Sequence, residues 1–357
     1  MSAPPPIADI AVIAPNLKRR LSGVTTTIVR LIPIQSRMIG IASTGPGLPP
    51  DLPHLPLWRT FTLPRDRLRV WHARRNTEMA LGLILTRIFR RRFTLLFTSA
   101  AQRRHTGFTR WLLARMDRII ATSPQAASYL DLPATVVMHG VDTRTFRPAP
   151  DKAALRRRLG LDPEATLIGC FGRIRAQKGV DLLVDAALAL LPGRPKVQVI
   201  FTGRVTDDQR GFYEAELARI AAAGLSDRIR FLGERPWEEV PDFYAALDLF
   251  VAPARWEGFG LTPLEAMASG VPVVASRVGA FEALVADGDT GSLVPRDDAA
   301  ALTAALASWL DDPAALAAAG PRARAKVEAQ HRIEGEAETI VRIYREMLDR
   351  EKPGLTS

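Results

Sequence analysis

Cysteine is almost absent from this 357-residue chain, in which Cys170 is the only one. A single cysteine cannot form a disulfide within the chain, and it cannot supply a cysteine-rich metal site. The composition therefore excludes a disulfide-stabilised scaffold, and it is compatible with a reducing compartment.

Long apolar runs are missing as well. No run reaches the roughly 18 apolar residues that a membrane-spanning helix needs, and the opening residues, Met-Ser-Ala-Pro-Pro-Pro, lack the basic and apolar regions of a secretory signal. Hydrophobic residues make up 47% of the chain and charged residues 24%, as is usual for a soluble globular protein. We therefore expect a cytoplasmic protein.

Acidic residues are scarce in the first part of the chain. Residues 1–150 contain 22 Lys/Arg and 7 Asp/Glu, a net charge of +15, whereas the remainder contains 26 and 31, a net charge of −5. A basic body of this kind indicates an anionic partner: nucleic acid, lipid headgroups or an acidic acceptor. Almost all of these cations are Arg, which suits bidentate binding of phosphate, although high-GC coding would produce the same bias.

Apolar runs and helical patterns alternate along the chain, as in α/β proteins with parallel sheets. The clearest runs are residues 166–171, 197–202, 229–232, 247–252 and 271–275. The length favours about two domains, and a Pro-rich stretch, Phe146-Arg-Pro-Ala-Pro-Asp151, marks the approach to a boundary. We predict an α/β fold with two Rossmann-like domains, residues 1–155 and 156–332, followed by a last amphipathic helix in residues 333–357.

One helical pattern in the first half, from Trp71 to Phe93, ends in a cluster of arginines. Its apolar positions, including Ile84 and Ile88, oppose Arg87 and the arginines at 90–92, as in an amphipathic helix that lies on a membrane surface. A helix that faces the core and leaves a basic side in solvent would give the same pattern.

A basic glycine loop follows the first strand of the second half, in Gly169-Cys-Phe-Gly-Arg-Ile-Arg-Ala-Gln-Lys-Gly179. Gly172 permits a tight turn, which carries Arg173 and Lys178 into the loop ahead of the next helix. A pyrophosphate at this strand end would receive the forked donors of Arg173 and the point charge of Lys178. A solvated basic loop is the alternative.

A second glycine loop follows the apolar run at 247–252. Gly258 and Gly260 allow the backbone to approach a ligand, and Thr262 suits the N-cap of the helix that follows. Glu257 in the loop and Glu265 in the first helical turn can accept bonds from ligand hydroxyls. An ordinary strand-to-helix turn between two solvated glutamates is the alternative.

Taken together, these loops resemble the retaining glycosyltransferases of family four, the glycosyl transferases of group 1. Glu257 and Glu265 have the family's E-x7-E spacing, and the match continues through residues 266–274. The first half matches more loosely, through Gly23, residues 118–123 and His139-Gly-Val-Asp142. Within the family, the sequence of residues 97–142 is similar to that of bacterial lipopolysaccharide core mannosyltransferases.

The resemblance implies a GT-B fold, with two Rossmann-like domains facing across a cleft and the C-terminal helix crossing back to the first domain. It implies that Arg173 and Lys178 neutralise the leaving diphosphate, that Glu257 touches the transferred sugar and that Glu265 holds the ribose. His105 lies where family members often place a histidine close to the reacting sugar; a structural histidine is the alternative. The implied catalytic set is His105, Arg173, Lys178 and Glu257. The implied donor-binding set is Gly23, Arg173, Lys178, Arg235, Glu257, Gly258, Phe259, Gly260, Leu261, Thr262 and Glu265.

The resemblance also implies a mechanism without a protein nucleophile. In front-face attack the leaving phosphate takes the acceptor's proton, and fixed positive charges stabilise the departing diphosphate. We therefore expect no cofactor and no metal, because the cations already lie at the diphosphate and no Asp-x-Asp motif beside a strand end suits Mg²⁺.

The implied substrates are GDP-mannose and an anionic, lipid-linked core saccharide, whose acidic sugar would explain the basic first half. Peripheral contact with the inner face of the inner membrane would follow. A UDP-sugar or ADP-sugar transferase of cell-envelope glycan synthesis is an alternative. A nucleotide-sugar epimerase or a phosphorylase would need catalytic carboxylates or a cofactor lysine that the sequence lacks. A nucleic-acid-binding protein rests on charge alone, without a reading motif or stacking platform, and we expect no nucleic-acid partner.

Overall fold

The computed structural model describes residues 6–19 and 23–349, with side chains at 23 and 24 left aside. The chain divides into two compact units. One combines Met1–Met138 with Ile333–Ser357, and the other is His139–Arg332. Each unit is built on its own parallel sheet of six strands.

The first unit has a parallel sheet in the strand order β2-β1-β3-β4-β5-β6. Most of its strand residues are buried, as expected for strands covered on both faces. The strands are β1 (Val12–Pro15), β2 (Ile41–Thr44), β3 (Arg69–Ala73), β4 (Phe93–Ser99), β5 (Arg118–Ala121) and β6 (Thr135–Val136). The helices are α1 (Gly23–Gln35), α2 (Asn76–Arg87), α3 (Gly107–Leu113), α4 (Pro124–Ser128) and α13 (Ile333–Asp349).

The C-terminal helix α13 packs into the core of this first unit. Ile340 and Tyr344 belong to one hydrophobic cluster with Val12 and Ile28. The Tyr344 hydroxyl also lies 2.6 Å from His72 Nδ1 on β3. A buried hydrogen bond therefore fixes the register of the helix on the sheet.

The second unit has the strand order β12-β11-β10-β7-β8-β9. Its strands are β7 (Thr166–Phe171), β8 (Val197–Thr202), β9 (Ile229–Phe231), β10 (Leu249–Ala252), β11 (Val273–Ser276) and β12 (Gly291–Val294). Its helices are α5 (Lys152–Arg158), α6 (Val180–Leu190), α7 (Arg210–Ala222), α8 (Val240–Ala245), α9 (Thr262–Ala268), α10 (Phe281–Leu284), α11 (Ala299–Asp311) and α12 (Pro313–Gln330). The predicted α/β class with two Rossmann-like halves is confirmed.

The predicted boundary after residue 155 differs from the one in the structure, where the second unit begins at His139. The reason is visible in α5, which Asp151 caps by accepting a bond from the Ala154 amide. The buried guanidinium of Arg156 donates to the carbonyls of Ala165 and Ala246, each at 2.8 Å. These bonds attach residues before 156 to the second sheet.

The helical pattern predicted from Trp71 to Phe93 was wrong at both ends. Trp71 is a buried residue of β3, α2 spans only Asn76–Arg87, and Phe93 is the first residue of β4. Within α2, Leu85 is buried, whereas Ile84 is 39% exposed, and Ile88 just beyond the helix is 70% exposed. No helix in the described part of the chain has the length and apolarity that crossing a membrane requires.

Candidate functional site

The two glycine loops meet because their strands are neighbours. β7 and β10 pair in parallel, with Ile168 opposite Leu249 and Gly169 opposite Phe250. Their carboxyl ends therefore open at the same edge of the sheet. β7 also pairs with β8 on its other side, so the order in which strands are added to the sheet reverses at β7. Ligands of open α/β sheets bind at such a switch point.

Lys178 and Glu257 form the centre of this site. The Lys178 ammonium donates to Glu257 Oε2, and the Gly258 amide donates to Glu257 Oε1 at 3.1 Å. Both side chains are largely shielded, at 21% and 17% exposed. The cavity that the two loops line has a volume of about 10 Å³, which is room for about one water molecule. The ion pair thus fills the position where the loops converge.

Two arginines flank this pair. Arg173 is exposed and forms no hydrogen bond or ion pair with the described residues. Arg175, which our sequence reasoning missed, has a buried Nε without a hydrogen-bond partner among the described residues. Burial and the neighbouring charge of Arg173 lower the pKa of Arg175, and Glu257 opposes that effect. The second arginine of Arg173-Ile-Arg175 was the signal that could have identified it.

Glu265 is held in the first turn of α9 and is only 7% exposed. The Tyr244 hydroxyl on α8 donates to Glu265 Oε2 at 2.9 Å. Burial, and then the charge of Glu265, raise the pKa of Tyr244 well above its usual value, so Tyr244 remains a donor at neutral pH.

The predicted N-cap role of Thr262 was wrong. Thr262 is the first residue of α9, and the preceding Leu261 has helical angles and makes no side-chain cap. Thr262 instead lines the cavity between the two loops.

The second glycine loop accepts only glycine at its tightest point. Gly260 has φ +81°, and a Cβ there would lie 2.3 Å from the Phe281 ring and 2.8 Å from Glu257 Cγ. The side chain of Phe259 turns inward, with its ring edge-to-face against His139 at 4.7 Å. Gly258, Phe259 and Gly260 therefore offer a ligand backbone groups rather than side chains.

Arg255 connects the two glycine loops, and it was not among the site residues predicted from the sequence. Its guanidinium makes a two-point ion pair with Asp181 at 2.7 and 2.8 Å. It also donates to Asp297 at 2.6 Å and to the Ala176 carbonyl, while its backbone amide donates to the Gln177 carbonyl at 2.9 Å. No local spacing could reveal contacts between residues so far apart in sequence.

Three of the predicted residues, Gly23, Arg235 and His105, belong neither to the two glycine loops nor to α9. Gly23 begins α1 in the first unit, and residues 20–22 just before it are outside the described residues. Arg235 follows the edge strand β9, with its guanidinium 5.2 Å from the centre of the Phe243 ring.

His105 follows β4 in the first unit, 3.5 Å from the Ser99 hydroxyl. Burial lowers the pKa of His105, and Asp131 partly opposes this shift. The imidazole is therefore neutral at pH 7.

In the part of the chain that the structure describes, no group of three or more His, Cys, Asp or Glu side chains is placed to hold a metal ion. Cys170 lies buried beneath the first loop, and burial raises its pKa to about 12, so it is a neutral packing residue at neutral pH.

Known proteins match this chain over nearly its whole length. Residues 151–326 match the family model described as "Glycosyl transferases group 1". The lipopolysaccharide core biosynthesis mannosyltransferase LpsB of Rhizobium meliloti (strain 1021) is 50% identical, over 96% of this chain and 99% of that protein. The lipopolysaccharide core biosynthesis mannosyltransferase LpcC of Rhizobium leguminosarum bv. viciae is 51% identical, over 96% and 98%.

A solved structure supports the fold independently. Anabaena Alr3699/HepE, crystallised in complex with UDP, superimposes with a TM-score of 0.83 at 19% identity, over 94% of this chain and 100% of that one. The chain belongs to the glycosyl transferases group 1 family. The predicted family and GT-B class are confirmed, and the protein is a hexosyltransferase.

Proposed function

We propose that the protein transfers mannose from GDP-mannose to an anionic sugar of a lipopolysaccharide core, with retention of the anomeric configuration. The observation that carries the proposal is the joined pair of loops at the carboxyl ends of β7 and β10, in which Lys178 pairs with Glu257 and the charge of Glu257 also acts on Arg175, while Arg173 lines the same cavity. Two relatives that match over almost the whole chain are named as core mannosyltransferases, and they supply the donor sugar and the acceptor class.

The chemistry requires stabilisation of a leaving diphosphate. Cleavage of the sugar–phosphate bond places negative charge on the phosphate and positive character on the anomeric carbon. When the donor binds, a diphosphate oxygen replaces Glu257 as the partner of Lys178, and Arg173 turns in with its free fork of donors. Fixed cations then stabilise the charge as it develops, without proton transfer by the protein.

The same exchange gives Glu257 its role. Once Lys178 has turned to the diphosphate, Glu257 Oε2 is free to accept a bond from a hydroxyl of the transferred sugar. Glu265, fixed by Tyr244, accepts from the ribose hydroxyls. No covalent intermediate is needed, because the departing phosphate accepts the acceptor's proton, and neither a cofactor nor a metal enters the scheme.

The remaining assignments stay predictions from the family resemblance. Gly23 and Arg235 are expected to contact the donor, and His105 the reacting sugar. The acceptor is expected to be a lipid-linked saccharide bound by the basic first unit, at the inner face of the inner membrane.

The experiment is a thermal-shift panel with GDP-mannose, UDP-glucose and ADP-glucose, followed by transfer to a purified core acceptor. We expect the largest increase in Tm with GDP-mannose and an α-linked product by NMR. Lys178→Ala should lose most of the shift, whereas Lys196→Ala, an exposed lysine of the same unit, should keep it. A larger shift with UDP-glucose or ADP-glucose would reassign the donor, and no shift with any nucleotide sugar would refute the function.

A further inference from the structure

We propose that the outer face of α3 is the surface by which the protein binds an anionic phospholipid membrane. This inference rests on the proposed function, because a lipid-linked acceptor must be met at a membrane. The α3 patch consists of Phe108, Trp111 and Arg115, with Arg103, Arg104 and Arg110 around them.

The α3 patch exposes aromatic surface that the fold leaves uncovered. Phe108 is 61% exposed and Trp111 50% exposed, and their rings lie nearly parallel with centres 6.2 Å apart. The opposite side of the same helix buries Thr109, Leu112 and Leu113 in the unit. α3 is therefore apolar on both sides, but only one side has a partner among the described residues.

Arg115 is arranged as an arginine at a membrane interface would be. Its guanidinium lies 4.0 Å from the centre of the Trp111 ring and donates to the Trp111 carbonyl at 2.8 Å. A tryptophan with an arginine along its ring suits the headgroup region of a membrane. There the ring can contact the acyl chains while the guanidinium binds the lipid phosphates.

The charges around the two rings favour an anionic surface. Arg103, Arg104 and Arg110 are all exposed. Asp131 pairs with Arg110 at 3.9 Å, and the Asp117 carboxylate accepts from the Leu95 amide at 2.6 Å, so these two carboxylates reduce but do not cancel the charge of the four arginines. Arginines close to an anionic membrane surface favour binding, so the remaining positive charge and the two aromatic side chains together suit reversible binding.

The position of the patch connects it to the acceptor. α3 begins two residues after His105, so its first turn, with Phe108, lies at the carboxyl edge of the first sheet, and the helix then runs back toward the amino end of β5. A second apolar and basic surface, around Ile88 and Phe89, follows the end of α2. Because α2 leads back from the carboxyl end of β3 to the amino end of β4, that surface lies at the other edge of the sheet, and we assign it no lipid.

The experiment is co-sedimentation of the full-length protein with vesicles of phosphatidylcholine, with and without a quarter of phosphatidylglycerol. Wild type is expected to bind the anionic vesicles, and high salt should weaken binding. The double variant Phe108→Ser/Trp111→Ser should lower the bound fraction at least tenfold, and Arg103→Gln/Arg104→Gln severalfold. The matched control is Trp58→Ser, because Trp58 is 62% exposed and also has an arginine, Arg59, over its ring at 5.3 Å.

A second readout separates this proposal from the proposed function. The double variant should keep the GDP-mannose thermal shift and its transfer rate to a deacylated, water-soluble core acceptor, and lose transfer to acceptor embedded in vesicles. Three results would overturn the α3 assignment: unchanged vesicle binding by the double variant, an equal loss in Trp58→Ser or Ile88→Ser, or a loss of transfer to the soluble acceptor, which would make the patch a saccharide subsite. Failure of GDP-mannose binding in wild type would refute the proposed function and leave vesicle binding as a separate result.

Discussion

Tyr244 illustrates how a single hydroxyl holds a carboxylate of the proposed donor site. It holds one carboxylate oxygen of the buried Glu265, so Tyr244→Phe removes a charge-assisted bond worth roughly 1–3 kcal/mol. Part of that cost lowers stability and part lowers the affinity for the nucleotide. We expect the Kd for GDP, measured by calorimetry, to rise about fivefold, or roughly 1 kcal/mol.

Tyr213→Phe is the control for this prediction. Tyr213 lies in the same unit and packs against Phe231 at 5.2 Å, without a hydrogen bond from its hydroxyl to the described residues. Loss of the Tyr213 hydroxyl should leave the Kd for GDP unchanged. If Tyr244→Phe bound GDP as tightly as wild type, Glu265 would not depend on this bond.

His331 makes the second unit sensitive to acid. Burial, and then the charge of Lys326, lower its pKa to about 4, and neither ring nitrogen has a hydrogen-bond partner among the described residues. Near pH 6.5 the His331 imidazole binds a proton in the unfolded chain but not in the folded chain. The contribution of His331 to the free energy of unfolding is therefore complete above about pH 6.5, and it is lost as the pH falls to about 4.

We therefore expect the free energy of unfolding to fall between these pH values by up to about 3 kcal/mol through His331. The measurement is urea denaturation of wild type and His331→Leu at pH 7.5, 6, 5 and 4. The difference between the two proteins should grow in favour of the variant as the pH falls. A constant difference would show that His331 does not titrate with this shift.

Arg255 shows that the two loops of the site act as one element. Arg255→Gln removes the two-point ion pair with Asp181, so the loop that carries Glu257 should lose its fixed position beside Lys178. We expect a rise of about tenfold in the Kd for GDP, or about 1.4 kcal/mol, with partial recovery in Arg255→Lys, which keeps the charge but not the planar fork.

Arg277→Gln is the matched control, because Arg277 pairs with Asp287 at 3.0 Å and both are nearly half exposed. Exposed pairs contribute about 0–1 kcal/mol, so neither Tm nor Kd should change appreciably. Equal effects of Arg255→Gln and Arg277→Gln on nucleotide affinity would contradict a positioning role.

At the level of elements, the features that could be predicted are those that depend on residues close together in the sequence. Apolar runs located β7, β8 and β10, and glycine spacing located both loops. The Lys178–Glu257 and Arg255–Asp181 pairs depend instead on which strands become neighbours, and local periodicity carries no information about that. The predicted N-cap at Thr262 failed because Leu261 before it already has helical angles, which the residue types alone do not reveal.

For the whole molecule, chain length and the alternation of apolar runs with helical patterns predicted two α/β units, and the charge predicted an anionic partner, but the boundary between the units was placed wrongly. That boundary depends on Arg156, whose long-range bonds to the second sheet no Pro-rich stretch reveals. The excess of arginine in the first part also could not identify its partner, since charge alone suits nucleic acid, lipid and acidic sugar equally. The exposed rings of Phe108 and Trp111 provide the additional observation that favours lipid.

The proposed transfer mechanism depends most on Lys178, the cation that leaves Glu257 to stabilise the departing diphosphate. The most direct test is kcat for mannosyl transfer from GDP-mannose by Lys178→Ala, with Lys196→Ala as control. Removal of one preorganised donor to developing charge typically lowers kcat by about 10²–10³. We predict a loss of that size in Lys178→Ala and none in Lys196→Ala; a Lys178→Ala enzyme with wild-type kcat would contradict the central claim.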